Sequence, residues 1–300
     1  MSVATVSPGF GAAERRNAEA LIRLALDEDL GPLGDLTTMA TIPADARGEA
    51  LIVARRLGVV AGMPVVVMLA ERFGLDRPEV AVPDGRPCDR GEVLARVSGP
   101  MRALLAFERT ALNFLQRLSG IATLTAAFVA AVQGTKAVIL DTRKTTPGWR
   151  ALEKYAVRCG GGRNHRMGLY DAVLIKDNHL AWLSSTGDPI GRAIAAARAQ
   201  APPGTTVEIE VDSLEQFERA LACAPDIILV DNLDPGALAE AVRYREARAP
   251  GVLLEASGGV TLETVGALAR TGIDRISVGA LTHSAPALDI GLDFEAVLPS

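Results

Sequence analysis

Six short apolar runs, separated by segments of helix length, occupy the chain from residue 137 onward and constrain its fold more than any other feature. The runs are rich in β-branched residues. Short apolar runs that alternate with helical segments are typical of a parallel sheet whose strands are joined by crossover helices. The predicted strands are Ala137–Asp141, Ala172–Lys176, Val207–Val211, Asp226–Asp231, Leu253–Ser257 and Ile276–Ala280.

Charged residues or glycines end these runs. In chain order they are Asp141 with Arg143 and Lys144, then Lys176, Glu210, Asp231, Ser257 with Gly258 and Gly259, and Gly279. The carboxyl ends of parallel strands in a closed barrel meet at one mouth, where active sites lie. Charged groups are costly to bury and rarely end apolar strands for stability alone. We therefore expect these residues to form one site.

The segment from Asp141 to His179 holds a local excess of positive charge. It carries eight Lys/Arg and four Asp/Glu, a net charge of +4, and because the whole chain has −5 the remainder has −9. Such a cluster in an acidic protein suits a small, highly charged anion. Arginine suits planar carboxylates and lysine suits phosphates. The segment is too short and too mixed in sign for a nucleic-acid surface.

The glycines after the late runs indicate a phosphate site. Ser257, Gly258 and Gly259 follow one run and Gly279 follows the next. Loops at this place in a barrel commonly bind phosphate through backbone N–H groups, although ordinary strand–helix turns have the same composition. His283 comes just after the second loop and is as consistent with a helix start as with a ligand.

Two carboxylates, Glu210 and Asp231, end neighbouring runs. They could hold a Mg²⁺ ion that bridges a diphosphate, because Mg²⁺ prefers few carboxylates plus substrate oxygens. An ion pair of one of them with Lys176 is the structural alternative.

Composition argues against several other classes of protein. The three cysteines are far apart and form no CxxC pair, which favours reduced thiols in a cytoplasm over a zinc site. The pI near 5.4 argues against nucleic acid and anionic membranes. No apolar signal segment is visible at the N-terminus. The longest uncharged apolar run, Leu57–Ala70, contains Pro64 and is shorter than the ~18 residues of a membrane span.

Two long motifs resemble the core signature of the quinolinate phosphoribosyltransferase family. They are DTRKTTPGWR at 141–150 and GGGRNHRMGLYDAVLIKDNH at 160–179, and EDLGPLGDLTT at 28–38 resembles the family's N-terminal signature. The resemblance covers nearly the whole chain. It implies an α/β sandwich domain at 1–112, to which a tail at 286–300 returns, and an open α/β barrel at 113–285 with the active site at the carboxyl ends of its strands.

The same resemblance implies an enzyme of the pentosyltransferase class. The reaction would join quinolinate to phosphoribosyl pyrophosphate, giving nicotinate mononucleotide, pyrophosphate and CO₂ in de novo NAD synthesis, with Mg²⁺ as cofactor. A homodimer or larger oligomer in the cytoplasm is implied, in which Arg109 completes the site of the neighbouring subunit. From local sequence alone, Arg109 is better explained as a surface arginine of a helix.

Roles for the other residues follow from positions that match the family's motifs. The residues that match quinolinate-binding positions are Arg143, His165, Arg166 and Lys176. Those that match positions binding phosphoribosyl pyrophosphate are Lys144, Ser257, Gly258, Gly259, Gly279 and His283. The metal or ribose positions are matched by Glu210 and Asp231. The catalytic set is Lys144, Lys176, Glu210 and Asp231.

Alternative functions stay open at this point. The nearest is a related phosphoribosyltransferase acting on another acid, such as nicotinate, or the paralogue linked to molybdenum transport genes; the intact KDNH and NHRMGL motifs favour quinolinate. An aldolase-type barrel would use Lys176 as a Schiff-base lysine, give a borohydride-trappable adduct and need no Mg²⁺. A non-catalytic phosphosugar-binding protein is disfavoured because no motif position is lost.

Overall fold

The computed structural model describes residues 8–184 and 187–295, and the chain forms two compact units. The first comprises Met1–Ala126, Thr145–Gly161 and Ala280–Ser300, and the second comprises Ala127–Lys144 and Gly162–Gly279. The chain therefore passes between the units several times. The predicted boundary at residues 112 and 113 lies earlier in the chain than the division after Ala126, and both fall within one 31-residue helix.

Helices and strands alternate along most of the described chain. The helices are α1 (Ala12–Leu30), α2 (Leu36–Thr41), α3 (Met63–Arg72), α4 (Met101–Ala131), α5 (Arg150–Cys159), α6 (Asp177–Leu183), α7 (Pro189–Gln200), α8 (Leu214–Ala222), α9 (Pro235–Arg248), α10 (Leu262–Arg270) and α11 (Ala280–His283). The strands are β1 (Arg47–Ala54), β2 (Gly58–Val59), β3 (Glu79–Val80), β4 (Pro87–Cys88), β5 (Val93–Pro100), β6 (Val138–Leu140), β7 (Val173–Ile175), β8 (Val207–Val211), β9 (Ile227–Asp231), β10 (Leu253–Ser257), β11 (Arg275–Ser277) and β12 (Ile290–Glu295).

An antiparallel sheet with the order β12-β1-β5-β3 forms the first unit together with its helices. β1 lies between β12 and β5 and pairs with both. Its inward side chains, such as Ile52, are fully buried, whereas Arg47 at its start is exposed. Because β12 pairs with β1, residues 290–295 of the predicted returning tail lie in the first sheet. Residues 296–300 of the predicted tail lie outside the described residues.

Helix α4 runs for 31 residues and continues through Ser119 and Gly120, although glycine is a poor helix former. The Ser119 side chain bonds to a residue outside the helix, because its Oγ accepts a hydrogen bond from the N–H of Ala61 at 3.0 Å. A Cβ at Gly120 would lie 2.0 Å from the carbonyl oxygen of Pro286, so the glycine permits close packing. α4 is also the one described helix that is long and apolar enough to cross a membrane, but half of its most apolar window is buried, as in the core helix of a globular unit.

A six-stranded parallel sheet with the order β6-β11-β10-β9-β8-β7 forms the second unit. β6 and β7 are its outer strands, and helices follow the strands as the alternation predicts. The predicted fold class, a sheet-containing N-terminal domain and an open α/β barrel, is confirmed at this level. One strand is misplaced: the run predicted at Ile276–Ala280 is β11 at Arg275–Ser277. The chain turns at Gly279, so Ala280 begins α11.

The register of the sheet places the carboxyl ends of several strands side by side. Ser257 of β10 pairs with Asp231 of β9, and Glu210 of β8 pairs with Leu229, two residues before Asp231. Residues two apart on a strand share a face. Glu210 is therefore preceded on its own face by Glu208, one layer farther from the carboxyl end.

Candidate active site

A cavity of about 350 Å³ lies at the carboxyl ends of the parallel strands. The structure places eight residues of the predicted site in its lining: Arg143, Lys144, His165, Arg166, Lys176, Glu210, Asp231 and Ser257. Leu174 and Leu229 add apolar surface that suits an aromatic ring. One cavity thus combines cations, carboxylates and an apolar wall.

The predicted glycines lie in turns after the late strands. Gly258 and Gly259 follow Ser257 with φ values of +94° and +56°, which glycine adopts readily. A Cβ at Gly258 would lie 2.1 Å from the Asn232 side-chain oxygen, whereas a Cβ at Gly259 would meet no atom within 4 Å. Gly259 therefore leaves an open approach to the backbone. Gly279 comes two residues after β11 rather than at its last position.

The remaining two predicted residues belong to the first unit. Arg109 is exposed on α4, and His283 is exposed at the last position of α11. The His283 ring nitrogen Nδ1 lies 2.6 Å from the hydroxyl oxygen of Ser284.

Asp141 anchors the segment that carries His165 and Arg166. Its carboxylate is fully buried and accepts hydrogen bonds from the N–H of His165 at 2.9 Å and from the amide of Asn164 at 2.6 Å. Arg163 donates its N–H to the carbonyl of Ile139 at 2.8 Å, which extends the ladder beside β6. This aspartate explains how the loop after the three glycines reaches the cavity.

Two arginines in the cavity repel each other. Burial, together with the positive charge of Arg143, lowers the pKa of Arg166. Arg166 Nη1 also donates to the carbonyl of Ala172 at 3.1 Å, which fixes its direction. An anion with two negative groups would relieve this repulsion.

Lys176 forms an ion pair at the end of β7. Its ammonium donates to the carboxylate of Glu210, and the Lys176 side chain is 43% exposed. The backbone N–H of Lys176 donates to Nδ1 of His179 at 2.9 Å, so His179 orients the start of α6. The ion pair and the site role are compatible, because both side chains line the cavity.

A buried layer behind His165 was not predicted from the sequence. Nε2 of His165 lies 3.1 Å from Glu208 and 3.4 Å from Glu255, whose other oxygen accepts from Arg275 Nε at 2.7 Å. A signal was available, since Glu208 and Glu255 each interrupt an apolar strand two residues before a predicted site residue. Such a residue shares the face of the site residue and lies one layer deeper.

The charge state of this layer follows from its contacts. Burial alone would lower the pKa of His165, whereas the contacts of Nε2 with Glu208 and Glu255 favour a proton on that atom and raise the pKa. Nδ1, however, accepts the N–H of Arg166 at 2.7 Å, and a doubly protonated ring has no lone pair there. We assign the neutral ring with a proton on Nε2.

Comparisons with known proteins agree with this architecture. The C-terminal domain of quinolinate phosphoribosyl transferase matches residues 121–293, and its N-terminal domain matches residues 35–119. The chain is 51% identical over 279 residues to the nicotinate-nucleotide pyrophosphorylase [carboxylating] of Mycobacterium leprae, covering 92% of this chain and 96% of that protein. It is 44% identical over 271 residues to the probable enzyme of the same name in Bacillus subtilis, covering 89% of each.

Solved structures give the same result. The nicotinate-nucleotide pyrophosphorylase of Francisella tularensis superposes with a TM-score of 0.85 at 34% identity, covering 93% of this chain and 96% of that chain. The one from Ehrlichia chaffeensis superposes with a TM-score of 0.85 at 38% identity, covering 92% and 98%. By sequence over both domains and by fold, the chain belongs to the quinolinate phosphoribosyltransferase family.

Proposed function

We propose that this protein transfers the phosphoribosyl group of phosphoribosyl pyrophosphate to quinolinate, releasing pyrophosphate and CO₂ and forming nicotinate mononucleotide for NAD synthesis. The observation that carries the proposal is the single cavity shared by Arg143, Arg166 and Lys176 with Glu210 and Asp231. The cations suit a dianionic acid and the carboxylates suit a sugar that becomes positively charged.

Quinolinate has carboxylates on neighbouring ring carbons. Arg143 and Arg166 can each present a planar fork to one carboxylate, and Lys176 adds a point charge beside them. His165 contributes to this side of the site through its contact with the backbone of Arg166. Leu174 and Leu229 offer apolar contact to the ring.

Phosphoribosyl pyrophosphate carries a phosphate at one end and a diphosphate at the other. Backbone N–H groups at Ser257, Gly258, Gly259 and Gly279 suit the 5′-phosphate, as turns of this kind do. Lys144 suits the diphosphate, because its side chain is exposed at the cavity edge. His283 is assigned to the phosphate side on the family resemblance alone.

Glu210 and Asp231 fit a Mg²⁺ ion by the chemistry of their oxygens. Both are half-buried carboxylates that line the same cavity, and hard carboxylate oxygens are ligands that Mg²⁺ prefers. When bound, Mg²⁺ would neutralise charge on the diphosphate. The ammonium of Lys176 beside Glu210 offsets part of the carboxylate charge before substrate arrives.

The reaction needs no protein nucleophile. The ring nitrogen of quinolinate forms a bond to the ribose C1 as the bond from C1 to pyrophosphate breaks, and the leaving oxygen takes the electron pair. Glu210 and Asp231 stabilise the positive charge that develops on the ribose, and Lys144 stabilises the leaving group. The pyridinium then accepts the electron pair of the bond to the 2-carboxylate as CO₂ departs, and a proton replaces the carboxyl.

We further propose a cytoplasmic homodimer or larger oligomer. Arg109 supports this, because it is an exposed cation on α4 that a partner subunit could receive as part of its own site. Mixing an Arg109→Ala variant with an Lys144→Ala variant tests it: shared sites restore part of the activity, and independent sites restore none.

The proposed reaction is tested by incubating the protein with phosphoribosyl pyrophosphate, Mg²⁺ and either quinolinate or nicotinate. We expect nicotinate mononucleotide in the first case, with one CO₂ released for each product molecule. Turnover of nicotinate alone would indicate the related transferase instead. A borohydride-trapped adduct on Lys176 would favour the aldolase-type alternative.

A further inference from the structure

Two carboxylates, Glu208 and Glu255, lie one layer below the site residues on their strands, where barrel strands ordinarily carry branched apolar side chains. The Glu208 side chain is 2% exposed and the Glu255 side chain is not exposed at all. Replacing buried ion pairs by well-packed apolar residues is often neutral or stabilising. Stability alone therefore does not account for two glutamates in this layer.

Both carboxylates face one atom of a site residue. Nε2 of His165 lies 3.1 Å from Glu208 and 3.4 Å from Glu255, and the His165 side chain is only 9% exposed. Its other nitrogen accepts the backbone N–H of Arg166 at 2.7 Å. Both ring nitrogens are thus engaged within the protein, and the ring connects the buried layer to Arg166.

Arg275 fixes the far side of this layer. Its Nε donates to the second oxygen of Glu255 at 2.7 Å, and the two residues are paired across β10 and β11. His165, Glu208 and Glu255 lie close enough together for a metal ion. The guanidinium of Arg275 already supplies a cation there, which disfavours a metal.

We propose that Glu208 and Glu255 are positioning residues for the acid substrate: they hold the His165 ring through Nε2, and the ring holds the backbone that carries Arg166. A ring free to rotate would release the N–H of Arg166 and let its guanidinium move relative to Arg143. The identity of the substrate rests on the proposed function; the positioning role does not.

Glu208→Gln and Glu255→Gln test the proposal, with Glu240→Gln on the exposed face of α9 as the matched control. We expect each buried variant to raise KM for quinolinate about tenfold while kcat and KM for phosphoribosyl pyrophosphate stay within about twofold. Arg275→Gln, which leaves both glutamates in place, should raise the same KM by less. Glu240→Gln should change none of these values.

The ring itself provides a readout independent of activity. The chain has three histidines, so protein labelled with ¹⁵N-histidine gives few imidazole signals, and His165→Asn identifies those of His165. We expect the wild-type ring to be neutral with its proton on Nε2. We expect Glu255→Gln to change the ¹⁵N chemical shifts of both ring nitrogens.

Two results would overturn the positioning role. One is a wild-type ring that carries a proton on Nδ1, either alone or together with one on Nε2; the other is a wild-type KM for quinolinate in all three buried-layer variants. If the wild-type protein does not convert quinolinate, the proposed function fails, and the histidine spectra still decide the positioning role. Loss of folded protein in a variant is detected by circular dichroism, and Arg275→Gln then supplies the comparison.

Discussion

The ion pair of Arg117 and Glu153 in the first unit provides a quantitative test of how the fold holds its loops. Glu153 is fully buried, and its carboxylate accepts from Arg117 at 2.8 Å and from the Thr146 hydroxyl and N–H at 2.9 and 3.1 Å. Arg117 also donates to the carbonyls of Thr282 and Ala285. This one pair therefore links the loop at Thr146, and the segment of residues 282–285 at the end of α11, to α4 and α5.

Replacing Arg117 by methionine leaves a buried carboxylate without its cation. Breaking such a pair costs roughly 3–5 kcal/mol when both partners are buried. The Arg117 side chain is 27% exposed, so water replaces part of the interaction, and we expect about 3 kcal/mol. Glu153→Gln keeps an acceptor for Thr146 and should cost about 1–2 kcal/mol.

The double variant separates the ion pair from simple loss of packing. With both charges removed, the cost should fall short of the sum of the single costs by at least about 1 kcal/mol. Urea unfolding followed by circular dichroism measures all three values. Arg243→Met, at an exposed position of α9, serves as the control and should change stability by less than about 0.5 kcal/mol. Costs that simply add would refute the reasoning.

Other predictions concern the site and the pH dependence of stability. Lys144→Ala should lower turnover by about 100-fold or more while changing the unfolding free energy by less than about 0.5 kcal/mol, as kinetics and urea unfolding will show; unchanged turnover contradicts the assignment. Gly258→Ala forces a Cβ against Asn232 at a φ of +94°, so KM for phosphoribosyl pyrophosphate should rise about tenfold and that for quinolinate much less. Burial alone would raise the pKa of Glu14, but the hydrogen bond from Arg158 at 2.8 Å lowers it. Its stabilisation, below about 1 kcal/mol, is therefore present above the unfolded-state pKa and lost as pH falls through the folded value. Glu14→Gln should lower stability at pH 7 and lower it progressively less as the pH falls, and an effect that does not depend on pH would contradict the pairing.

Much of the second unit could be predicted because each of its strands is marked by a local run of apolar residues. β8 and β10 have the predicted bounds, since an apolar run between polar turns leaves little choice of register. The cap at Asp234 is also local: its side chain accepts from the N–H groups of Gly236 and Ala237. Once parallel strands are identified, geometry alone gathers their carboxyl ends.

Features set by distant parts of the chain could not be predicted in this way. Gly120 looks like a helix break, but it is a contact point for Pro286, far away in sequence. Lys154 recurs with Arg150 and Arg158 at the four-residue spacing of one helix face, a pattern typical of a solvated face, yet Lys154 is fully buried. The buried glutamates behind His165 depend on side chains from separate strands meeting in one layer. Sequence patterns indicate the face of a residue but not its partner.

The most direct test of the account is the structure of the protein in complex with quinolinate. We predict both substrate carboxylates within about 3.2 Å of nitrogen atoms of Arg143, Arg166 or Lys176, with the ring nitrogen directed toward Glu210 and Asp231. Quinolinate bound outside this cavity, or inside it with its carboxylates turned away from the three cations, would contradict the account.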